Sequence, residues 1–168
     1  MKGQATKQWA NVESSYQRRS DLIGNLVKTV QGAADFERGT LKDVIEARAK
    51  ATSTSIDINN LTPEKIAAFQ EAQTGLSSAL SRLLVTVERY PDLKANRNFL
   101  ELQSQLEGTE NRINVERNQF NDLAGEYNIK IEKIPTNFIA NIAGFDALAL
   151  FTSNPGAENA PDVDFNFD

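Results

Sequence analysis

The sequence predicts an all-α protein: an antiparallel up-and-down helical bundle of three long helices plus a short C-terminal fourth helix, with an extended tail. Three observations carry this. Apolar residues recur at alternating steps of three and four over long stretches, the period of a helix that buries one seam. Pro91 and Pro135 end two of those stretches, because proline lacks a backbone donor and clashes with the preceding turn. The longest stretch shows none of the period-two alternation that a half-buried strand requires.

That stretch runs from Trp9 to Ala51 and is read as one helix. Its seam passes through Trp9, Val12, Tyr16, Arg19, Ile23, Leu26, Val30, Ala33, Glu37, Thr40, Val44, Ala47 and Ala51. Val27, Ala34, Leu41 and Ile45 widen the seam into the face a bundle needs. Gly24, Gly32 and Gly39 are its weak points, each costing up to about 1 kcal/mol against alanine, and a kink is expected near one of them. Thr40 and Asp43 would serve as a partial capping box if the helix restarted there.

TSTSIDINN then reads as a loop, since its Ser, Thr, Asp and Asn side chains compete for backbone hydrogen bonds. The second helix opens with an N-cap at Thr62, Pro63 at the first helical position, and a hydrophobic staple of Leu61 with Ile66. Its seam is Ile66, Phe69, Gln73, Leu76, Leu80, Leu83, Val87 and Tyr90. The third helix follows Pro91 with Phe99, Leu102, Leu106, Thr109, Ile113, Glu116, Phe120, Leu123, Tyr127, Lys130 and Ile134 on its seam. So short a connection makes the second and third helices antiparallel neighbours.

Helix lengths at about 1.5 Å per residue do not match, so the second helix can cover only the second half of the first. The Trp9 to Ile23 half must therefore project, fold back at a glycine, or be covered by the C-terminal segment. PTNFIANIAGFDALALF supplies the short fourth helix, ended by the Gly-Phe pair. Residues 1–151 thus form the bundle domain, and residues 152–168 an extended acidic tail that packs on it or leaves it.

Length and composition fit one globular domain: 168 residues, 40% hydrophobic and 24% charged. The net charge is −5, of which Glu158, Asp162, Asp164 and Asp168 contribute −4, so the remainder carries only −1. No basic face is available to release phosphate counterions, and nucleic acid is not expected as a partner. Histidine and cysteine are absent. That excludes N/S zinc sites, cysteine nucleophiles, Ser-His-Asp triads and disulfides, so no enzyme class and no cofactor is expected. The longest apolar stretch, Phe138 to Phe151, contains Asn141 and Asp146 and is too short to span a bilayer.

Two sets of residues remain as candidates. A buried polar layer of Arg19, Glu37, Glu110 and Glu116 is expected to fix helix register, with Arg18, Arg48, Arg82, Arg112 and Arg117 as further partners and Glu46 nearby. Glu116, between Ile113 and Phe120, needs a partner, and an arginine from a facing helix is expected. The second set is Trp9, Val12 and Tyr16, which would form an apolar interaction strip if the first helix outruns its cover. DVDFNFD at the end opens like a calcium loop, but its sixth position is Phe167 rather than glycine. A strip of Val163, Phe165 and Phe167 docking on the bundle or a partner fits better. The three helical glycines follow no strand and precede no Gly-Lys-Ser/Thr, which excludes a phosphate loop.

The segments WANVESSYQRRSDLIGNLVKTVQG, LKDVIEARAKA, ALSRLLVTVERYPDLKAN, TENRINVERNQFNDLAGEYN and IPTNFIANIAGF, in that order, resemble the LemA family over nearly the whole chain. The sequence departs from it at Gly24, where the family often has proline, and at Phe120, where tyrosine is common. The resemblance implies a bacterial protein anchored by one transmembrane helix ahead of the region of Trp9, of unestablished molecular function. The chain would then be the water-facing domain of a longer, single-pass protein.

The leading expectation is a non-enzymatic, membrane-tethered interaction or scaffold domain that binds an unidentified protein or a second copy. The rival is a carboxylate-based metal or small-ligand carrier using Glu37, Glu110 and Glu116 in the bundle core.

Overall fold

A computed structural model of the chain describes residues 1–33 and 35–152, so the tail beyond Thr152, with the Asp162–Asp168 and Val163/Phe165/Phe167 readings, lies outside the described residues. The described residues form six helices and no strand: α1 (Lys2–Gln31), α2 (Arg38–Ser53), α3 (Pro63–Val87), α4 (Pro91–Lys94), α5 (Arg97–Glu132) and α6 (Thr136–Ala143), with a 3-10 turn at Ile58–Asn60.

The single first helix expected from Trp9 to Ala51 is two helices. α1 stops at Gln31 and α2 begins at Arg38, so four helices rather than three exceed one or two turns by a wide margin. Asp35 takes the left-handed backbone conformation (φ 64°) that asparagine and aspartate tolerate best, which turns the chain back. Tyr90 pins the turn from the end of α3. Its hydroxyl accepts from the Glu37 N–H (3.2 Å) and donates to the Asp35 carbonyl (3.3 Å), and its ring packs on Phe36 at 4.7 Å between centroids.

The reversal lays α2 along the second half of α1. Arg48 Nε donates to the Ser20 carbonyl at 2.7 Å, and Ser20 Oγ meets Thr52 Oγ1 at 3.1 Å. Gly24 makes room for this crossing: a Cβ there would stand 3.1 Å from the Arg48 guanidinium carbon. Pairs between α1 and α5 also run in opposite order, Gln8 to Glu116 and Arg19 to Glu110, while Asp43 meets Arg82 between α2 and α3.

Helix starts follow local chemistry. Thr62 Oγ1 accepts from the Lys65 N–H at 3.3 Å ahead of Pro63, and Leu61 and Ile66 are both buried. Pro91 occupies the first position of α4 rather than simply ending α3, and Asn96 Oδ1 caps α5 by accepting from the Phe99 N–H at 3.1 Å. Gly144, left-handed at φ 67°, closes α6.

The core has two parts. One gathers Leu22, Ile23, Leu26 and Val30 of α1 with Val44, Leu76, Leu83, Phe99 and Leu106. The other gathers Ala5, Trp9, Val12 and Tyr16 with Phe69, Ile113, Phe120, Leu148 and Phe151. Trp9, Val12 and Tyr16 are therefore core residues, at most 7% exposed, and not the surface strip expected for them. The cover comes from α5, from Ile56 and Ile58 of the loop and the staple residue Leu61, and from the C-terminal segment. Phe151 stacks on the Trp9 indole at 5.6 Å, and Phe120 meets it edge-on at 5.1 Å.

Candidate functional site

Between the two apolar clusters lies a band of polar side chains. Arg19 enters it from the α1 seam, 3% exposed. A buried guanidinium must satisfy several donors. Nη1 donates to Glu110 Oε1 at 2.5 Å and to Ser77 Oγ at 3.1 Å, while Nη2 donates to the carbonyl and the side-chain oxygen of Gln73. Nε has no partner. The Tyr16 ring lies 5.2 Å from the same guanidinium, and burial pushes its hydroxyl above the ordinary tyrosine value, partly offset by Arg117 and Arg19. These residues line a cleft of about 200 Å³ with Gln70 and Arg117 at its edge.

Glu116 sits one step further along α5. Gln8 Nε2 donates to its Oε2 at 2.6 Å and to its backbone carbonyl at 3.1 Å. Arg112 Nε approaches the other carboxylate oxygen at 3.4 Å. The expected arginine is thus present but comes from the same helix, four residues back, and the partner across the helix pair is Gln8. A glutamine fits here because the second donor a buried carboxylate needs is neutral, and so leaves less charge to desolvate.

Glu37 does not join the layer. It lies ahead of α2 at the hairpin turn, half exposed, 3.3 Å from Arg89. Glu46 pairs with exposed Lys42, and Arg48 and Arg82 serve α1 and Asp43 instead. Glu37, Glu110 and Glu116 therefore do not converge, and no group of three or more His, Cys, Asp or Glu among the described residues could hold a metal ion. The carrier reading has no site there.

Ser77 Oγ faces the Arg19 guanidinium, which cannot take its proton. Apart from Arg19 Nε, the guanidinium and the Glu116 carboxylate are each bonded to specific neighbours within the fold.

A second constellation was not anticipated from the sequence. Five side chains hold the extended segment 146–152 by its main chain, the first being Tyr127, whose hydroxyl donates to the Asp146 carbonyl at 3.1 Å. Asn128 accepts from the Leu148 N–H and donates to the Leu148 carbonyl, both at 2.8 Å. Asn121 does the same for Phe151, both at 2.9 Å. Gln70 of α3 and Arg117 of α5 reach the Thr152 carbonyl at 2.9 and 3.2 Å. Arg117 also covers the Phe151 ring at 4.8 Å. Asn121 and Asn128 are seven residues apart, two turns of α5, and so share one face. That spacing beside the seam was the available signal.

The model of the LemA family matches residues 8–165. The chain is similar to magnetosome protein MamQ 2 of Paramagnetospirillum magneticum, 29% identical over 168 residues, covering 89% of this chain and 61% of that protein. It is equally similar, at 29% over 166 residues and with the same coverage, to magnetosome protein MamQ of Magnetospirillum gryphiswaldense. Protein LemA of Metamycoplasma hominis is 24% identical over 143 residues, covering 85% of this chain and 62% of that one. The chain spans about three fifths of the length of these curated relatives. With a family match that takes in α1 to α6 and both polar constellations, the chain belongs to the LemA family.

Proposed function

We propose that this chain is the non-enzymatic interaction or scaffold domain of a membrane-associated protein. The observation that carries the reading is how surface and core divide the chemistry. The buried charged groups Arg19 and Glu116 are bonded to neighbours within the fold, while large apolar side chains stand exposed at one end, on and around α6. A protein organised this way works through its surface. The order of Gln8 with Glu116 and Arg19 with Glu110 supports an antiparallel course of α1 and α5. The relatives named as magnetosome proteins support a role in an assembly rather than in catalysis.

Among the described residues no helix is long and apolar enough to cross a membrane. Membrane association of the full-length protein, through a single-pass anchor, is thus part of the proposal. Its partner would be another protein or a second copy. Fractionation of cells producing the full-length protein tests this: it should remain with membranes after an alkaline wash, and cross-linking there should capture its neighbours. Recovery in the supernatant overturns the reading.

A further inference from the structure

α5 holds segment 146–152 with a repeated device. The Asn128 side chain accepts from the N–H and donates to the carbonyl of Leu148, and seven residues earlier on the helix Asn121 does the same for Phe151. A step back of seven along α5 thus advances the segment by three. The lengths agree, since seven helical residues rise about 10.5 Å and three extended residues cover about 9–10 Å. Such a bracket uses both halves of the amide and touches only main chain, so register decides which residue it holds.

The next step back of seven is Asn114, and the next advance of three is Asn154. Asn114 is exposed and lines the polar cleft beside Arg19. Gln70 and Arg117, which hold Thr152, line the same cleft, so at Thr152 the segment is heading from Asn128 towards Asn114 with α3 on its other flank. Side-chain character follows the lining. Leu148 and Phe151 are buried in the apolar cluster around Trp9, whereas one step further the lining is Gln73, Thr74, Ser77 and Glu110. A polar residue, Asn154, falls due where the wall turns polar. Residues 153–157, Ser-Asn-Pro-Gly-Ala, carry no charge that would compete with the Arg19–Glu110 pair. Pro155 biases the residue before it towards extended backbone, and Asn154 keeps the N–H that a bracket needs. The family match also runs on past Thr152, to residue 165.

We propose that Asn114 is the third rung of a main-chain ladder on α5 and that it grips Asn154, laying residues 153–157 of this chain over the polar cleft between α3 and α5. The groove is then taken by the chain's own segment and is closed to a partner. This stands independently of the membrane reading.

The test follows amide hydrogen exchange of the 168-residue chain by NMR. The Asn154 amide is expected to exchange about tenfold or more slowly than in an unstructured peptide of the same sequence. Asn114→Ala should abolish that protection while Leu148 and Phe151 keep theirs, because the other two rungs are intact. Circular dichroism should show the fold unchanged, since position 114 is exposed. The chain has no cysteine, so Asn114→Cys with Asn154→Cys gives a second reading. Mild oxidation of a dilute sample should close an intramolecular disulfide, as the bracket would hold the two Cα atoms within about 7 Å. Peptide-like exchange at Asn154 in the wild type overturns the proposal, as does protection that survives Asn114→Ala or a cysteine pair that stays reduced. Protection that appears only at high concentration, with the disulfide joining two chains, also overturns it by giving the groove to the segment of a second copy.

Discussion

Arg19 of α1 and Glu110 of α5 meet at 2.5 Å, with the arginine side chain 4% and the glutamate side chain 42% exposed. The pair is therefore lopsided: its cation is desolvated and its anion is not. Removing the anion leaves a buried charge with only Gln73 and Ser77 as acceptors. Glu110→Ala should cost about 2 kcal/mol in urea unfolding, below the 3–5 kcal/mol of a fully buried pair because water replaces part of the lost partner. Arg19→Met together with Glu110→Met should cost less than Glu110→Ala alone. Equal or greater loss in the double variant would show that the layer stabilises rather than specifies.

Gln8 and Glu116 should be coupled across the same helix pair. A double-mutant cycle with Gln8→Ala and Glu116→Ala is expected to give an interaction energy of about 1.5–3 kcal/mol, as for hydrogen bonds to a buried charge. Arg112→Ala, at a side chain 67% exposed, should change stability by less than about 1 kcal/mol. A larger loss at Arg112 than at Gln8 would make the intrahelical arginine the true partner.

Trp9→Ala should be among the most damaging single changes in the chain. The indole contacts Phe69, Phe120 and Phe151, so its loss opens a cavity at the junction of three elements. A cost of about 3–5 kcal/mol is expected by thermal or urea unfolding. Sedimentation of the folded fraction should show no change in assembly state, because the residue lies inside the protein.

The start of α3 should show a pH signature. Glu64 is fully exposed, and its carboxylate accepts from its own backbone N–H and from the Thr62 hydroxyl, which holds it below the ordinary value of 4.5. A carboxyl lowered in the folded state adds stability above the unfolded value and loses it as pH falls through the folded one. Glu64→Gln should thus lower Tm slightly at pH 7, and the difference should fade as pH drops below 4.5 through the folded value. Thr62→Ala, which removes the cap itself, should cost about 1 kcal/mol at pH 7.

Asn121 and Asn128 should govern the attachment of residues 146–152. Each side chain makes two bonds to the main chain, so Asn121→Ala with Asn128→Ala is expected to cost about 2–4 kcal/mol. Limited proteolysis should then cut near Leu148 while α1 to α5 persist. Unchanged protection there would mean that Leu148 and Phe151 hold the segment by packing alone.

How much of this could be read from the residues depends on whether a feature is periodic. The seams of α3 and α5, the cap at Thr62, and the polar intruders Arg19, Gln73 and Glu116 all stand out against a regular apolar background. The break after Gln31 does not. Val30 and Val44 keep the same three-and-four phase on either side of it, so counting steps cannot distinguish one helix from a hairpin whose arms bury matching faces. A break near one of three glycines is legible, and it falls at Gly32, followed by left-handed Asp35, while Gly24 makes room for an arginine crossing. The partners Gln8 and Ser77 lie off the seams and carry no periodic mark. The segment around Leu148 has no period at all, so its bonds to Asn121 and Asn128 appear only once the helices are placed.

The band at Arg19 also acts as a fiducial mark along the length of the molecule. Sliding α1 past α5 by one turn would move the guanidinium about 5.4 Å, out of reach of Glu110 and into one of the aliphatic clusters. A register set by this band would be counted from the middle of the molecule rather than from either tip.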